Sequence, residues 1–355
     1  MAKKKKTKEL SKMPMLFSAL DKSWEDNIIT PTETSVRGKE MVSWGDNNAY
    51  PQYLHDLYHN VPTLQTIVNG IVDYIKGDEI VSTITANAKG QTIGDIVGYV
   101  ALDLVLYGGF ALNVIRNRMG KPIHVYHLDF KRIRSDKDNT KFYYSDSWDK
   151  WNTKAMQYPK FKPDGTDESS VLYCKYNGHT QTYPFPMYGA AVKACEILKE
   201  VDTFHLNNIK NGFSASYIIN LLNGVPDDEV REEIETAFLE KFSGVQNAGR
   251  FILNFADSKD NASDVQKLEV TDFDKQYESL AKWSRTQVYT SFKANPNLFG
   301  ISTENIGFSA EEYKQAFKLF NKTTVEPLQK FIVSNIKKVF GEQSLEIKPF
   351  TINWE

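Results

Sequence analysis

The side chains with which this chain of 355 residues could do chemistry are six histidines, two cysteines and one dense run of carboxylates. His55 and His59 stand at i, i+4, the spacing that binds zinc from one helix face once a third ligand joins. The segment reads His-Asp-Leu-Tyr-His and carries no glutamate after the first histidine to act as a base. A solvated helix face is the favoured reading. His124 and His127 lie three apart on a strand, so they point to opposite faces. His205 falls on a helix seam and reads as a hydrogen-bonded buried or interface side chain. Cys174 and Cys195 fit no zinc spacing, and a reducing compartment is the default for so few thiols. Cys195 reads as packing.

Asp227, Asp228, Glu229, Glu232, Glu233 and Glu235 crowd one short helix. Amphipathic spacing explains them as a solvated acidic face, one that suits a basic partner. No phosphate-binding glycine loop followed by Lys-Ser/Thr occurs, and no Gly-x-Ser-x-Gly elbow. Gly108-Gly109 precedes a strand rather than a helix and reads as a turn. No catalytic framework, cofactor or metal is expected.

Composition agrees with a soluble globular body: 41% hydrophobic and 25% charged residues are ordinary values. The length calls for two or three packing units. The 13% of aromatic residues favours interfaces as well as cores, hence an oligomer. A net charge of −2 excludes a body built to grip phosphates all over. Lys3, Lys4, Lys5, Lys6 and Lys8 form a basic start, read as a solvated tail, with a nucleic-acid arm as the alternative. No apolar core follows them, so no signal peptide is expected. No window approaches the roughly 18 apolar residues of a membrane span, so no membrane partner is expected.

Residues 1–45 lack periodicity and read as an extended arm. Pro51–Lys76 reads as helix interrupted at Pro62, with a stripe of Leu64, Ile67, Val68, Ile71, Val72 and Ile75 and a stop at Gly77. A strand follows at Ile80–Ile84, then a helix over Thr92–Tyr107. Phe110–Arg116 and Ile123–Leu128 alternate and form a hairpin. Strands are expected near Lys141–Tyr144, Val171–Tyr176 and Thr180–Tyr183, with residues 145–170 as loop. This is an α+β unit, helices first and a β meander after.

From Tyr188 a long helix runs to about Gly212, with Ala190, Ala194, Ile197, Leu198, Val201, Phe204, His205 and Asn208 on one face. A small αβ insert follows: strand Tyr217–Leu222, a helix opened by Pro226-Asp227-Asp228 and reaching Phe242, then strands Arg250–Phe255 and Gln266–Val270. A second long helix covers Asp274–Ala294, with Tyr277, Leu280, Ser284, Val288 and Phe292 aligned, and Pro296 stops it. The break Asn295–Phe308 carries apolar residues but no chemistry. Ser309 and Glu312 form a capping box for a third helix bearing Tyr313, Phe317, Phe320, Thr324, Leu328, Phe331 and Ile336. Pro327 should kink it by removing a backbone hydrogen bond. Leu345–Trp354 reads as a last strand.

Several segments carry a resemblance. Tyr183-Pro184-Phe185-Pro186-Met187-Tyr188-Gly189-Ala190 opens the first long helix and Asn211-Gly212-Phe213 closes it. Gly244-Val245-Gln246-Asn247-Ala248-Gly249-Arg250 turns into a strand. Pro296-Asn297-Leu298-Phe299-Gly300-Ile301 follows the second helix. Ser309-Ala310-Glu311-Glu312-Tyr313 starts the next helix, and Val325-Glu326-Pro327-Leu328 lies within it. In order and spacing this resembles the portal proteins of tailed bacteriophages, in particular the compact siphovirus type. The match covers Tyr183–Gly341 well and residues 50–180 loosely.

The resemblance implies a portal-like α+β fold around a DNA tunnel in a ring, usually a dodecamer. Residues 1–45 would be the N-terminal arm, which has no clear family counterpart, and 46–186 an α/β wing. Residues 187–212 and 274–294 would be a two-helix stem, 213–273 a small αβ clip and 295–308 a tunnel loop. Residues 309–355 would hold a long kinked wing helix and a C-terminal strand, with the crown absent or vestigial. Tunnel candidates are Lys282, Arg285, Lys293, Asn295, Asn297, Thr303, Glu304 and Asn305. Clip candidates for partner binding are Asp227, Asp228, Glu229, Glu232 and Glu233. Implied partners are further copies of the chain, double-stranded DNA held without sequence preference, the terminase large subunit, a head–tail connector and the major capsid protein. The implied location is the portal vertex of the virion, after assembly in the bacterial host cytoplasm. A passage must let the duplex slide, so it needs no overall basic charge.

Two other readings compete. A connector or minor capsid protein would be another oligomeric virion component, but connectors are much shorter. An unrecognised enzyme such as a nuclease needs acids clustered on a rigid β scaffold, which the sequence does not offer.

Overall fold

A computed structural model describes residues 33–35, 40–45, 47–82, 84–148, 153–177, 181–210, 217–221, 226–227, 230, 233–234, 251–255, 273–301, 309–341 and 345–352. The chain enters with a hairpin, β1 (Glu33–Ser35) and β2 (Val42–Trp44). The helices α1 (Tyr50–Asn60) and α2 (Pro62–Lys76) meet at Pro62, which opens α2 where its missing N–H costs nothing. The expected stripe from Leu64 to Ile75 is buried throughout. Burying each such side chain contributes roughly 1.5–3 kcal/mol. Gly77 (φ +66°) ends α2 against the Lys348 carbonyl, at a point where a Cβ would not fit.

β3 (Glu79–Val81) pairs antiparallel with β12 (Glu346–Lys348), so the chain's end returns to the end of α2. Both strands are shorter than the alternation predicts. α3 (Ile93–Tyr107) begins at a Thr92–Asp95 capping box and packs on α2. β4 (Gly109–Arg116) is the middle strand of a three-stranded antiparallel sheet, between β5 (Pro122–Leu128) and β9 (Ser169–Lys175). A second such sheet joins β6 (Ile133–Ser135), β7 (Lys141–Tyr144) and β8 (Met156–Pro159).

Two expectations in this unit are corrected. Residues 145–170 are not all loop: β8 lies inside them, only four residues long, mostly exposed and closed by Pro159, so little marks it. Residues 181–183 bend instead of forming a strand. The Glu33 carboxylate accepts the N–H groups of Thr182 and Tyr183, both at 2.9 Å, so those donors are not free for a ladder. The described end of the segment read as an arm is the hairpin β1–β2, docked on the core. Trp44 is fully buried, stacked on Tyr183 with ring centroids 4.4 Å apart. Arg134, also fully buried, lies over the Trp148 ring and donates to Asn48 beside the hairpin. Burial pushes its guanidinium pKa down to about 10.

α4 (Val192–Lys210) and α5 (Phe273–Ser291) are the two long helices, packed on each other. Between them, β10 (Tyr217–Leu221) and β11 (Phe251–Phe255) pair in parallel, which demands a crossover through the intervening chain. The expected strand Gln266–Val270 lies outside the described residues. So does most of the expected helix ending at Phe242.

The capping box at Ser309 and Glu312 opens α6 (Ala310–Phe320) as expected. Pro327 acts as α7 (Glu326–Phe340) begins, but the helix widens rather than breaking. A π turn, Asn321–Val325, joins α6 to α7, and the Glu326 N–H donates to the Asn321 carbonyl. The wider turn keeps the proline ring away from the preceding carbonyls while the backbone stays helical.

Candidate functional site

The base of the two long helices is anchored in the core, and their far ends are not. On α4 burial holds through Leu198 and Val201 and then fails. Leu206 is 50% exposed and Ile209 62%; Phe204 lies open beside them. On α5 Ser284 and Val288 are buried, as is Phe292 just past its end, while Leu280 is open and Trp283 is 53% exposed. Tyr277 and Phe204 meet at 4.6 Å between ring centroids, and His205 lies 5.9 Å from Tyr277. A helix pair that leaves large apolar side chains to water along its outer half presents an interaction face.

α5 ends in a Schellman arrangement. Ala294 N–H donates to the Tyr289 carbonyl and Lys293 N–H to Thr290, both at 3.0 Å. Lys293 occupies the left-handed position at φ +53°, where glycine is the usual residue. Asn295 then caps a 3-10 turn, Pro296–Phe299, by accepting from the Asn297 N–H at 3.0 Å. The turn is docked. Leu298 is buried, and its carbonyl accepts from the Tyr74 hydroxyl at 2.8 Å. Phe299 lies on Gly70 of α2, where an added Cβ would come within 2.5 Å of the ring. Tyr74 also faces Phe317, Phe320 and Phe350, which ties α2, the turn, α6 and the chain's end together.

The structure therefore sorts the predicted residues. Lys282, Arg285 and Lys293 are exposed on or just after α5. Asn295 and Asn297 are half-buried, and Asn295 has a structural task as the cap. Thr303, Glu304 and Asn305 lie outside the described residues. Of the acidic set, Asp227 and Glu233 are exposed, while Asp228, Glu229 and Glu232 lie outside the described residues. The sequence reading missed the Tyr74–Gly70 seat of the turn. Its one available signal was Gly70 in mid-helix, which costs about 1 kcal/mol unless something needs the space.

The groups with possible chemistry are otherwise engaged. His55 and His59 bring their Nε2 atoms to 3.2 Å, but Lys131 Nζ lies 3.1 Å from His55 Nε2. Burial and that ammonium lower the His55 pKa. His127, on the opposite face of β5 from His124, lies 2.6 Å from the buried carboxylate of Asp103. Burial alone would depress its pKa; Asp103 outweighs burial and raises it. Burial pushes both thiols, Cys174 and Cys195, up to about 12. Among the described residues no group of three or more His, Cys, Asp or Glu could hold a metal ion. No helix among them is long and apolar enough to cross a membrane.

The family model described as phage portal protein matches residues 75–351. No curated protein matches the chain. Among solved structures, a chain in the virion of a native gene transfer agent particle is similar at a TM-score of 0.55 and 17% identity, over 84% of this chain and 82% of that one. A chain in the neck of such a particle, computed with C12 symmetry, is similar at 0.53 and 17%, over 84% of both. The crystal structure of an HK97 family phage portal protein from Corynebacterium diphtheriae is similar at 0.50 and 12%, over 83% of this chain and 95% of that one.

Proposed function

This chain belongs to the phage portal protein family, and we propose that twelve copies close into a ring around a passage for double-stranded DNA. As a portal protein it is a structural component of the virion, at the capsid vertex, and not an enzyme. The observation that carries the ring is the apolar outer half of α4 and α5, with Leu206, Ile209 and Trp283 open to water. In a ring each copy lays that face on its neighbour by a heterologous, closing contact. The C12 symmetry of the similar neck supports twelve as the number.

Within this reading α4 and α5 are the stem and the β10–β11 insert is the clip. The clip receives the terminase large subunit during packaging and the head–tail connector afterwards. Asp227, Asp228, Glu229, Glu232 and Glu233 offer these partners an acidic surface. The α+β unit is the wing, which meets the major capsid protein. Lys282, Arg285, Lys293, Asn295, Asn297, Thr303, Glu304 and Asn305 line the passage and touch phosphates without reading bases. Assembly takes place in the bacterial host cytoplasm, and the ring serves packaging and ejection alike.

Mass measurement of the purified particle tests the ring. A species of about 0.5 MDa, twelve chains of 40.6 kDa, is expected. A monomer or dimer under every assembly condition overturns it.

A further inference from the structure

We infer that the lysine stripe along α6 and α7 is a second contact for duplex DNA, lying outside the passage and gripping phosphates alone. Residues 310–341 hold six lysines (Lys314, Lys318, Lys322, Lys330, Lys337, Lys338) against three glutamates, Glu311, Glu312 and Glu326. The helix pair is thus +3 in a chain whose net charge is −2, which leaves −5 for the remainder. Two of the acids belong to the helix start: Glu312 closes the capping box, and Glu311 lies in the same first turn, where the dipole favours acids.

The π turn makes a stripe out of this spacing. In a regular α-helix a side chain every fourth residue drifts by about 40° per step. Lys314 to Lys330 would wind through about 160°, nearly to opposite faces. The i→i+5 turn over Asn321–Val325 advances less per residue and takes back much of that drift. Lys314, Lys318, Lys322 and Lys330 stay on one side. Phe317, Phe320, Leu328, Ile332 and Ile336 fill the other and are buried, so the stripe faces outward.

Lys318 is exposed, and the side chains of Lys322 and Lys330 keep 73% and 76% of their exposure. Glu326 stands between the last two, at 3.1 and 3.5 Å. Such exposed pairs are weak and exchange readily for a phosphate. Beyond them Lys330 and Lys337, together with Glu326 and Glu346, line a groove of about 1010 Å³ bordered by β12. Lys314, Lys318 and Lys322 follow one another at about 6 Å and Lys330 about 12 Å further on; such flexible point charges suit a continuous polyanion better than a single carboxylate.

The inference rests on the reading of the chain as a ring for DNA, and the test separates the two. Ring mass is measured first for wild type, K318Q/K322Q/K330Q, K318R/K322R/K330R and the passage variant K282Q/R285Q. Preassembled rings are then titrated with covalently closed circular duplex, which cannot thread a closed ring. The glutamine triple variant should bind at least about tenfold more weakly, with a shallower salt dependence. The arginine and passage variants should bind as wild type does. Equal binding by the glutamine triple variant overturns the inference, as does absence of binding by wild type. Loss of rings in either triple variant overturns it too, because the stripe is then a subunit contact.

Discussion

The Tyr74 hydroxyl donates to the Leu298 carbonyl across 2.8 Å in the protein interior, joining the last turn of α2 to the turn that follows α5. The segment after the second long helix therefore starts from a fixed seat. Tyr74→Phe removes the donor, together with the hydroxyl's hydrogen bond to Tyr313, and leaves the Leu298 carbonyl buried without a partner. The expected cost is about 1–2 kcal/mol, seen as a lower melting temperature with ring mass unchanged. An unaltered melting curve would show that water satisfies the carbonyl instead.

Gly70→Ala tests the other half of the seat. Helix propensity alone would make alanine the better residue by about 1 kcal/mol. The 2.5 Å approach of Phe299 to the new Cβ reverses the sign. The variant should be less stable than wild type. In the background Phe299→Leu the same change should cost less, because the ring that clashes is gone. Thermal melts of the four proteins give the coupling directly, and additive effects would remove Phe299 from the explanation.

Lys293 holds a left-handed backbone conformation that glycine holds without steric cost. Lys293→Gly should raise stability, by up to about 1 kcal/mol. A strained lysine kept at the mouth of α5 is accounted for if its charge meets DNA. Packaging assays of the same variant should then show a loss despite the gain in stability. A gain in both would assign Lys293 no role in the passage.

The Asp103–His127 pair gives the α+β unit a pH dependence whose sign follows from the shifts. The folded-state pKa of His127 is raised above the ordinary 6.5. Its contribution is fully present below 6.5 and is lost as pH climbs through the raised value. The carboxyl of Asp103 is also raised, burial outweighing the pull of His127, so it acts in the same direction from its ordinary 3.8 upward. The melting temperature of wild type should fall as pH rises past neutrality. His127→Gln should flatten that slope, and an identical slope would place the titration elsewhere.

What was legible in the sequence was whatever local physics decides. The α2 stripe, the Thr92–Tyr107 helix, the β4–β5 hairpin and the Ser309–Glu312 capping box follow from periodicity and from one turn of chain. What stayed hidden depends on distant partners. β8 is four mostly exposed residues and exists because β7 offers it an edge. Residues 181–183 read as strand, yet Glu33, far off in sequence, takes the donors of Thr182 and Tyr183. The candidate site divides along the same line. The lysines and asparagines after α5 could be picked by type, whereas the seat beneath them needs Gly70, Tyr74 and Phe299 brought together.

The apolar face of the long helices makes the last prediction. On α4 Leu206 and Ile209 are exposed past the point where the core ends, and on α5 Trp283 is exposed on the side away from the buried Ala281 and Ser284. None of the three holds the monomer together, so replacing them should leave folding intact. Leu206→Ser with Ile209→Ser, and Trp283→Ala alone, should keep the wild-type monomer melting temperature or raise it slightly. If a neighbouring copy covers these side chains, each replacement costs the contact the burial of a large apolar group. That is roughly 1.5–3 kcal/mol per side chain, and it repeats at every interface of the ring. Closure multiplies the loss, so the ring should give way to monomers or open fragments at concentrations where wild type is fully assembled. Mass photometry over a dilution series reads this out. Rings as durable as wild type would mean that the outer halves of α4 and α5 face something other than the next copy.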